Sequence, residues 1–142
     1  MDTRKKTALI AVAGLLAFYL LTKGLNALSS SPGANSYKSY CAKCHGEQGE
    51  GLGTLVPPLN NADWLKTNSS NLACVIRYGI KDSIQVNGQW YDEEMLGLSA
   101  LSEVQIANIC NYISSNFTET KHFYTPEEIE NSLQGCKDEK GN

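Results

Sequence analysis

"CAKCHGEQGEGLGTLVPPL", Cys41 to Leu59, sets two cysteines three apart, a histidine directly after them, then a run of glycines and a proline pair. Thiols at i and i+3 on a helix project from one face. Such a pair can tether, twice, a flat ligand that carries two reactive groups on one edge. His45 falls where the helix ends and the chain turns, so its ring can aim at a metal held by that ligand. Upstream, Tyr37, Tyr40, Cys41 and Cys44 recur at i, i+3, i+4 and i+7. That is one face of a short helix predicted from Ser36 to about Lys43.

This is the C-x-x-C-H pattern of covalent haem attachment, with thioether bonds from both cysteines and an imidazole on the iron. Gly46 is then expected because a side chain there would crowd the haem edge. Two other chemistries use close cysteines. Zinc wants a second close pair, whereas Cys74 and Cys110 stand alone. A thioredoxin-like redox pair wants a βαβ context, which is absent. A six-coordinate iron needs a second axial ligand, and beyond the motif the chain has Met95 and His122. Met95 sits in a loop among Asp92, Glu93, Glu94 and Gly97 rather than on an apolar stripe, which favours a ligand over core packing. His122 follows the last core helix and reads as a surface residue.

The 142 residues, 42% hydrophobic and 19% charged, allow one small globular domain of about 100 residues. Arg4, Lys5 and Lys6 precede Thr7 to Thr22, which carries no charge. Extended to Leu28, with Lys23 snorkelling, this run reaches about 30 Å as a helix. Residues 1–28 therefore read as a signal anchor, or as a signal peptide cleaved near Ala27-Leu28-Ser29. Either way the body is expected on the periplasmic face of a bacterial inner membrane, anchored through residues 7–28 or soluble after cleavage. Beyond Lys23, 8 Lys and Arg face 14 Asp and Glu, which argues against nucleic acid as a ligand. Residues 29–35 read as a linker, 36–118 as the cofactor domain and 119–142 as a C-terminal extension.

Within the body, Asn71 to Ile80 predicts a helix with Leu72, Val75, Ile76 and Gly79 on one stripe. Asn87-Gly88 is a tight-turn signal, but no convincing set of strands emerges. Ser102 and Gln105 form a capping box ahead of a helix that holds Ile106, Ile109, Cys110, Ile113 and Phe117 on one face. Thr125-Pro126-Glu127-Glu128 starts another helix, short enough for Gly135 to end, and the residues after it read as a frayed tail.

From Gly33 to Phe117 the chain resembles the small single-haem class I cytochromes c. The resemblance implies an all-α fold packed around one haem c, bound covalently through Cys41 and Cys44 with His45 and Met95 on the iron. Gly33 and Tyr37 resemble positions where the first helix crosses the last, with Ile109 and Ile113 of the closing helix facing the first. Pro57 resembles a proline whose carbonyl accepts from the axial histidine. Trp64 falls at a haem-propionate donor position, where a core tryptophan is the alternative. "GQWYDEEM" looks like the G-x-x-Y-x-x-x-M approach to the axial methionine, but Leu96 and Gly97 stand where many relatives have proline, leaving the loop less stiff.

The implied function is one-electron carriage in a bacterial respiratory chain, as a free carrier or a subunit of a membrane complex, and not catalysis. The alternatives are a gas sensor or small peroxidase with a displaceable methionine, and an assembly subunit with a structural haem. Partners would be redox proteins, donor and acceptor, among membrane respiratory complexes. The acidic body, with Asp92 to Glu94 as a rim, fits partners with a basic rim. Export predicts a disulfide among Cys74, Cys110 and Cys136. Because the resemblance makes their helices neighbours, the expected bridge is Cys74 to Cys110, with Cys136 left over.

Overall fold

The computed structural model describes residues 12–20, 31–119 and 121–140, with side chains followed to Cys136 in the last helix. It divides into two compact units, Met1–Ser31 and Pro32–Asn142. In the first, residues 12–20 are helical, and Val12, Leu15, Leu16, Phe18 and Leu20 are exposed. The rest of the anchor expected over 7–28 lies outside the described residues. No helix among the described residues is long and apolar enough to cross a membrane.

The second unit runs α1 (Pro32–Tyr40), α2 (Ala42–His45), α3 (Asp63–Thr67), a 3-10 turn (Ser69–Asn71) and α4 (Leu72–Tyr78). Four short strands follow: β1 (Gly79–Ile80), β2 (Ile84–Val86), β3 (Gln89–Tyr91) and β4 (Met95–Leu96). Helices α5 (Glu103–Phe117) and α6 (Pro126–Lys140) complete it. Residues 32–35, expected as linker, are instead the first turn of α1, because Pro32 fits the first helical position. The Cys41 amide donates to Tyr37 O at 2.8 Å and the His45 amide to Cys41 O at 2.9 Å, carrying helical bonding across the break between α1 and α2.

Helix α1 crosses α5 at Gly33, as expected. A Cβ on Gly33 would lie 2.6 Å from Asn108 O and 3.2 Å from Tyr112 Cβ, so only glycine permits this approach. One turn on, Tyr37 stacks on Tyr112 with centroids 4.9 Å apart and meets Phe117 at 5.2 Å. Its hydroxyl donates to Gly46 O at 2.7 Å. The close contacts of the crossing thus run through Asn108, Tyr112 and Phe117; Ile109 and Ile113 are buried too. The capping box forms as read: the Gln105 amide donates to Ser102 Oγ and the Ser102 amide to Gln105 Oε1.

Two expectations fail and one gains detail. The helical fold carries two small ladders: β1 pairs antiparallel with β4, and β2 with β3. Strands of two or three residues leave no alternation to read; only their Asn87-Gly88 turn, at φ 51° and 79°, was visible. Helix α6 runs past Gly135 to Lys140, because Ile129, Leu133 and Cys136 form a buried stripe packed on α4 and α5. Finally, Cys74 bonds to Cys136, with Cα atoms 6.0 Å apart, and not to Cys110. Cys110 is a fully buried free thiol on α5. In the chain-entropy model, cross-linking residues 62 apart contributes roughly 4 kcal/mol.

The crossing predicts that Gly33→Val lowers stability by about 1–3 kcal/mol through overpacking. Guanidinium unfolding would read this as a lower midpoint at unchanged slope. An unchanged midpoint would show that α1 can move off α5 freely.

Candidate cofactor site

The Gly-rich loop folds back on the cysteine motif. The Gly51 amide donates to His45 O at 2.8 Å, and the Leu59 and Asn60 amides donate to Gly49 O at 2.8 and 3.0 Å. A Cβ on Gly51 would meet Val56 O at 2.5 Å and Pro58 N at 2.8 Å, so glycine lets the Pro57-Pro58 segment lie against the loop's start. Pro57 O then sits 3.0 Å from His45 Nδ1. A carbonyl only accepts, so Nδ1 carries the proton and Nε2 keeps its lone pair. Burial lowers the His45 pKa, with the Pro57 bond pulling the other way, and the ring is neutral. Gly46 has φ 81° and ψ 160°, a region that is essentially glycine's own. What a Cβ there would meet is the Glu50 carboxylate.

His45 lines an apolar cavity of about 370 Å³ together with Cys41, Cys44, Pro57, Trp64 and Met95. Every residue expected to serve the cofactor is therefore brought to one place. Leu65, Leu72, Ile76 and Ile113 add apolar wall from α3, α4 and α5. Cys41 is buried, and burial first, then the neighbouring Cys44, pushes its thiol up to about 11. Cys44 is exposed at the mouth, and Trp64 is half-buried. His122 is elsewhere: its Nε2 pairs with Glu128 at 2.7 Å and it does not line this cavity.

Met95 is better held than the missing proline implied. In β4 it pairs with Ile80, and Leu96 pairs with Gly79. Gly79, at φ 78° and ψ −173°, is again in a glycine-only region, and a Cβ on it would strike Met95 O. A Cβ on Gly97 would meet Arg77 O at 2.6 Å. Two glycines thus replace a proline as the means of placing the methionine. The sequence reading put Gly79 on a helix stripe and took Gly97 as a source of slack in the loop; both are instead points of close backbone approach around Met95.

The donor set fits a haem: two thiols three apart, a neutral imidazole with one free lone pair, a thioether, and apolar walls. Apolar walls of this kind are left facing water unless a group packs against them. A covalently held group would cover them and so form part of the core.

Comparison with known proteins gives the same family. The cytochrome c family model matches residues 30–117. The chain is 32% identical over 124 residues to cytochrome c-552 of Thermus thermophilus, covering 81% of this chain and 82% of that one. It is also 33% identical over 93 residues to the cytochrome c subunit of a quinone alcohol dehydrogenase from Gluconacetobacter polyoxogenes. That match takes in 63% of this chain but 19% of the subunit. The chain belongs to the cytochrome c family, as a class I c-type cytochrome, and membership implies covalently bound haem c.

Gly88 and Gly79 share a positive φ, but nothing lies within 4 Å of a Cβ on Gly88. Gly88→Ala should therefore cost roughly 1 kcal/mol from backbone strain alone. Gly79→Ala should cost about 2 kcal/mol more, through overpacking of the methionine strand. Urea unfolding of both variants decides it: equal costs would mean that β4 gives way.

Proposed function

We propose that the chain is a one-electron carrier with a single haem c. Cys41 and Cys44 hold it through thioether bonds, and His45 Nε2 and the Met95 sulfur fill the two axial positions. The observation that carries this is the convergence of all four side chains on one apolar cavity, with the His45 tautomer set by Pro57. A haem bound there supplies exchange between ferrous and ferric iron. Neutral ligands and apolar walls disfavour the extra positive charge of the ferric form and raise the reduction potential. Trp64 stands in the same wall, as a propionate donor must. The β1–β4 ladder and the two glycines argue for a retained methionine, and so for a carrier over a gas sensor or peroxidase.

The mouth of the cavity favours contact with another redox protein. Tyr40, Leu55 and Leu96 are exposed there, at 44, 52 and 75%. Asp82, Glu93 and Glu94 stand beside them, with Asp92 next along the chain. A partner with a basic rim fits, with steering that salt weakens. The similarity to a dehydrogenase's cytochrome c subunit supports redox-protein partners, whether in a complex or in free exchange. The exposed apolar side chains of residues 12–20 support the anchor reading of 7–28, with the haem domain on the periplasmic side.

Haem should stay with the polypeptide through acid-acetone extraction, and intact mass should include one haem; freely extractable haem would end this reading. The ferric protein should show the weak far-red sulfur-to-iron band, lost in Met95→Ala. A Met95→Ala variant with the native spectrum would show that another group is the sixth ligand. In native membranes, anchored protein should resist a high-salt wash, while release into the soluble fraction would show cleavage instead.

A further inference from the structure

Met95 sits on a strand of two residues whose ladder partner is β1. β1 continues directly from α4, and seven residues are too few to hold a helix without tertiary support. The segment after Met95 is tied to the same helix. The Leu98 amide donates to Ile76 O at 2.8 Å, and Arg77 Nη1 donates to Ser99 O at 2.7 Å. Arg77 Nη2 also meets the Glu103 carboxylate at 3.0 Å. The position of the Met95 sulfur is thus inherited from the position of α4.

Helix α4, with the 3-10 turn that leads into it, is in turn gripped by the C-terminal segment. Tyr124 Oη donates to Ser69 O at 3.2 Å, Ser132 Oγ donates to Ser70 O at 3.2 Å, and Cys136 is bonded to Cys74. The C-terminal segment is itself secured to α5. Asn111 Nδ2 donates to Tyr124 O at 2.9 Å, and the Tyr124 amide donates to Asn111 Oδ1 at 2.7 Å. Cys74, Ser132 and Cys136 do not line the cavity.

We propose that the Cys74–Cys136 disulfide is a positioning device for Met95: by pinning α4 to α6 it sets how readily another ligand displaces the sulfur from the iron. This rests on the reading of Met95 as axial ligand. The sulfur can leave in two ways: β4 peels from β1, or β1 moves away together with α4. The disulfide blocks the second. A dithiol reductant reopens it: thiol–disulfide exchange passes two electrons and two protons to the protein, giving two thiols, and the dithiol becomes its own disulfide.

The test uses the ferric holoprotein, titrated with imidazole while the far-red band is followed. Compared with wild type, Cys74→Ser/Cys136→Ser should bind imidazole roughly tenfold more tightly or better, because the open form is more populated. Its Leu98 amide should also exchange faster. Ser132→Ala, which keeps the disulfide, should fall between the two. Should the double variant fail to fold, folded wild type serves in its place after dithiol reduction, blocking of both thiols with iodoacetamide and reoxidation of the iron. Imidazole affinity and Leu98 exchange equal to wild type in the bridgeless protein overturn the proposal. A wild type with no far-red band removes Met95 as ligand instead. Leu98 exchange then still decides whether the bridge holds the segment, faster exchange supporting this and equal exchange overturning it.

Discussion

A backbone oxygen of α5, Asn108 O, comes within 2.6 Å of where a Cβ on Gly33 would sit, and the arrangement of the domain depends on that approach. It lets α1 lie on α5 closely enough for Tyr37 to stack on Tyr112 and reach Gly46 O. The Tyr37–Gly46 bond joins α1 to the turn that follows α2. Cys41 and His45, between those two points, are thereby placed at the cavity wall. A side chain at one small position would thus be felt eight residues past Tyr37, at the His45 ring that lines the cavity.

The two flanks of the cavity are built by different physics. The cysteine flank is local: helix spacing sets the thiols, and a glycine loop returns Pro57 to His45 over twelve residues. The methionine flank is non-local. It needs β1 from the end of α4, β4 from a separate loop, and α6 from the far end of the chain. Local geometry is carried by short-range spacing, whereas non-local geometry depends on which faces pack.

That division explains what could be read from the sequence. Cys41, Cys44, His45 and the Ser102 capping box are set by spacing, and they were legible. Met95 was read from its acidic loop and the want of other ligands, while Gly33, Pro57 and Trp64 were placed by resemblance; Met95, Pro57 and Trp64 all line the cavity. The disulfide was misassigned because Cys74 and Cys110 lie on neighbouring helices, a criterion that ignores which way each face points. Cys110 faces the core at zero exposure, while Cys136 completes the Ile129, Leu133 stripe that brings it to α4. That stripe shows in the sequence too, but Gly135 beside it reads as a stop. The residues after Gly135 were read as a tail, when Cys136 among them is part of the core.

The connectivity of the bridge also constrains how the protein matures. Cys110 leaves the ribosome after Cys74 and before Cys136, so pairing by order of appearance would join the wrong two thiols. In the folded domain, with α5 and α6 both seated, Cys110 is wholly enclosed, and that same desolvation drives its thiol pKa well above the ordinary range, leaving almost no thiolate to attack a disulfide. The native bridge can close only after the last helix has been made and seated. Oxidation that outran the packing of α5 would trap Cys74 with Cys110 and leave α6 nothing on α4 to bond to. The burial of an unused cysteine thus guards the finished bridge against exchange.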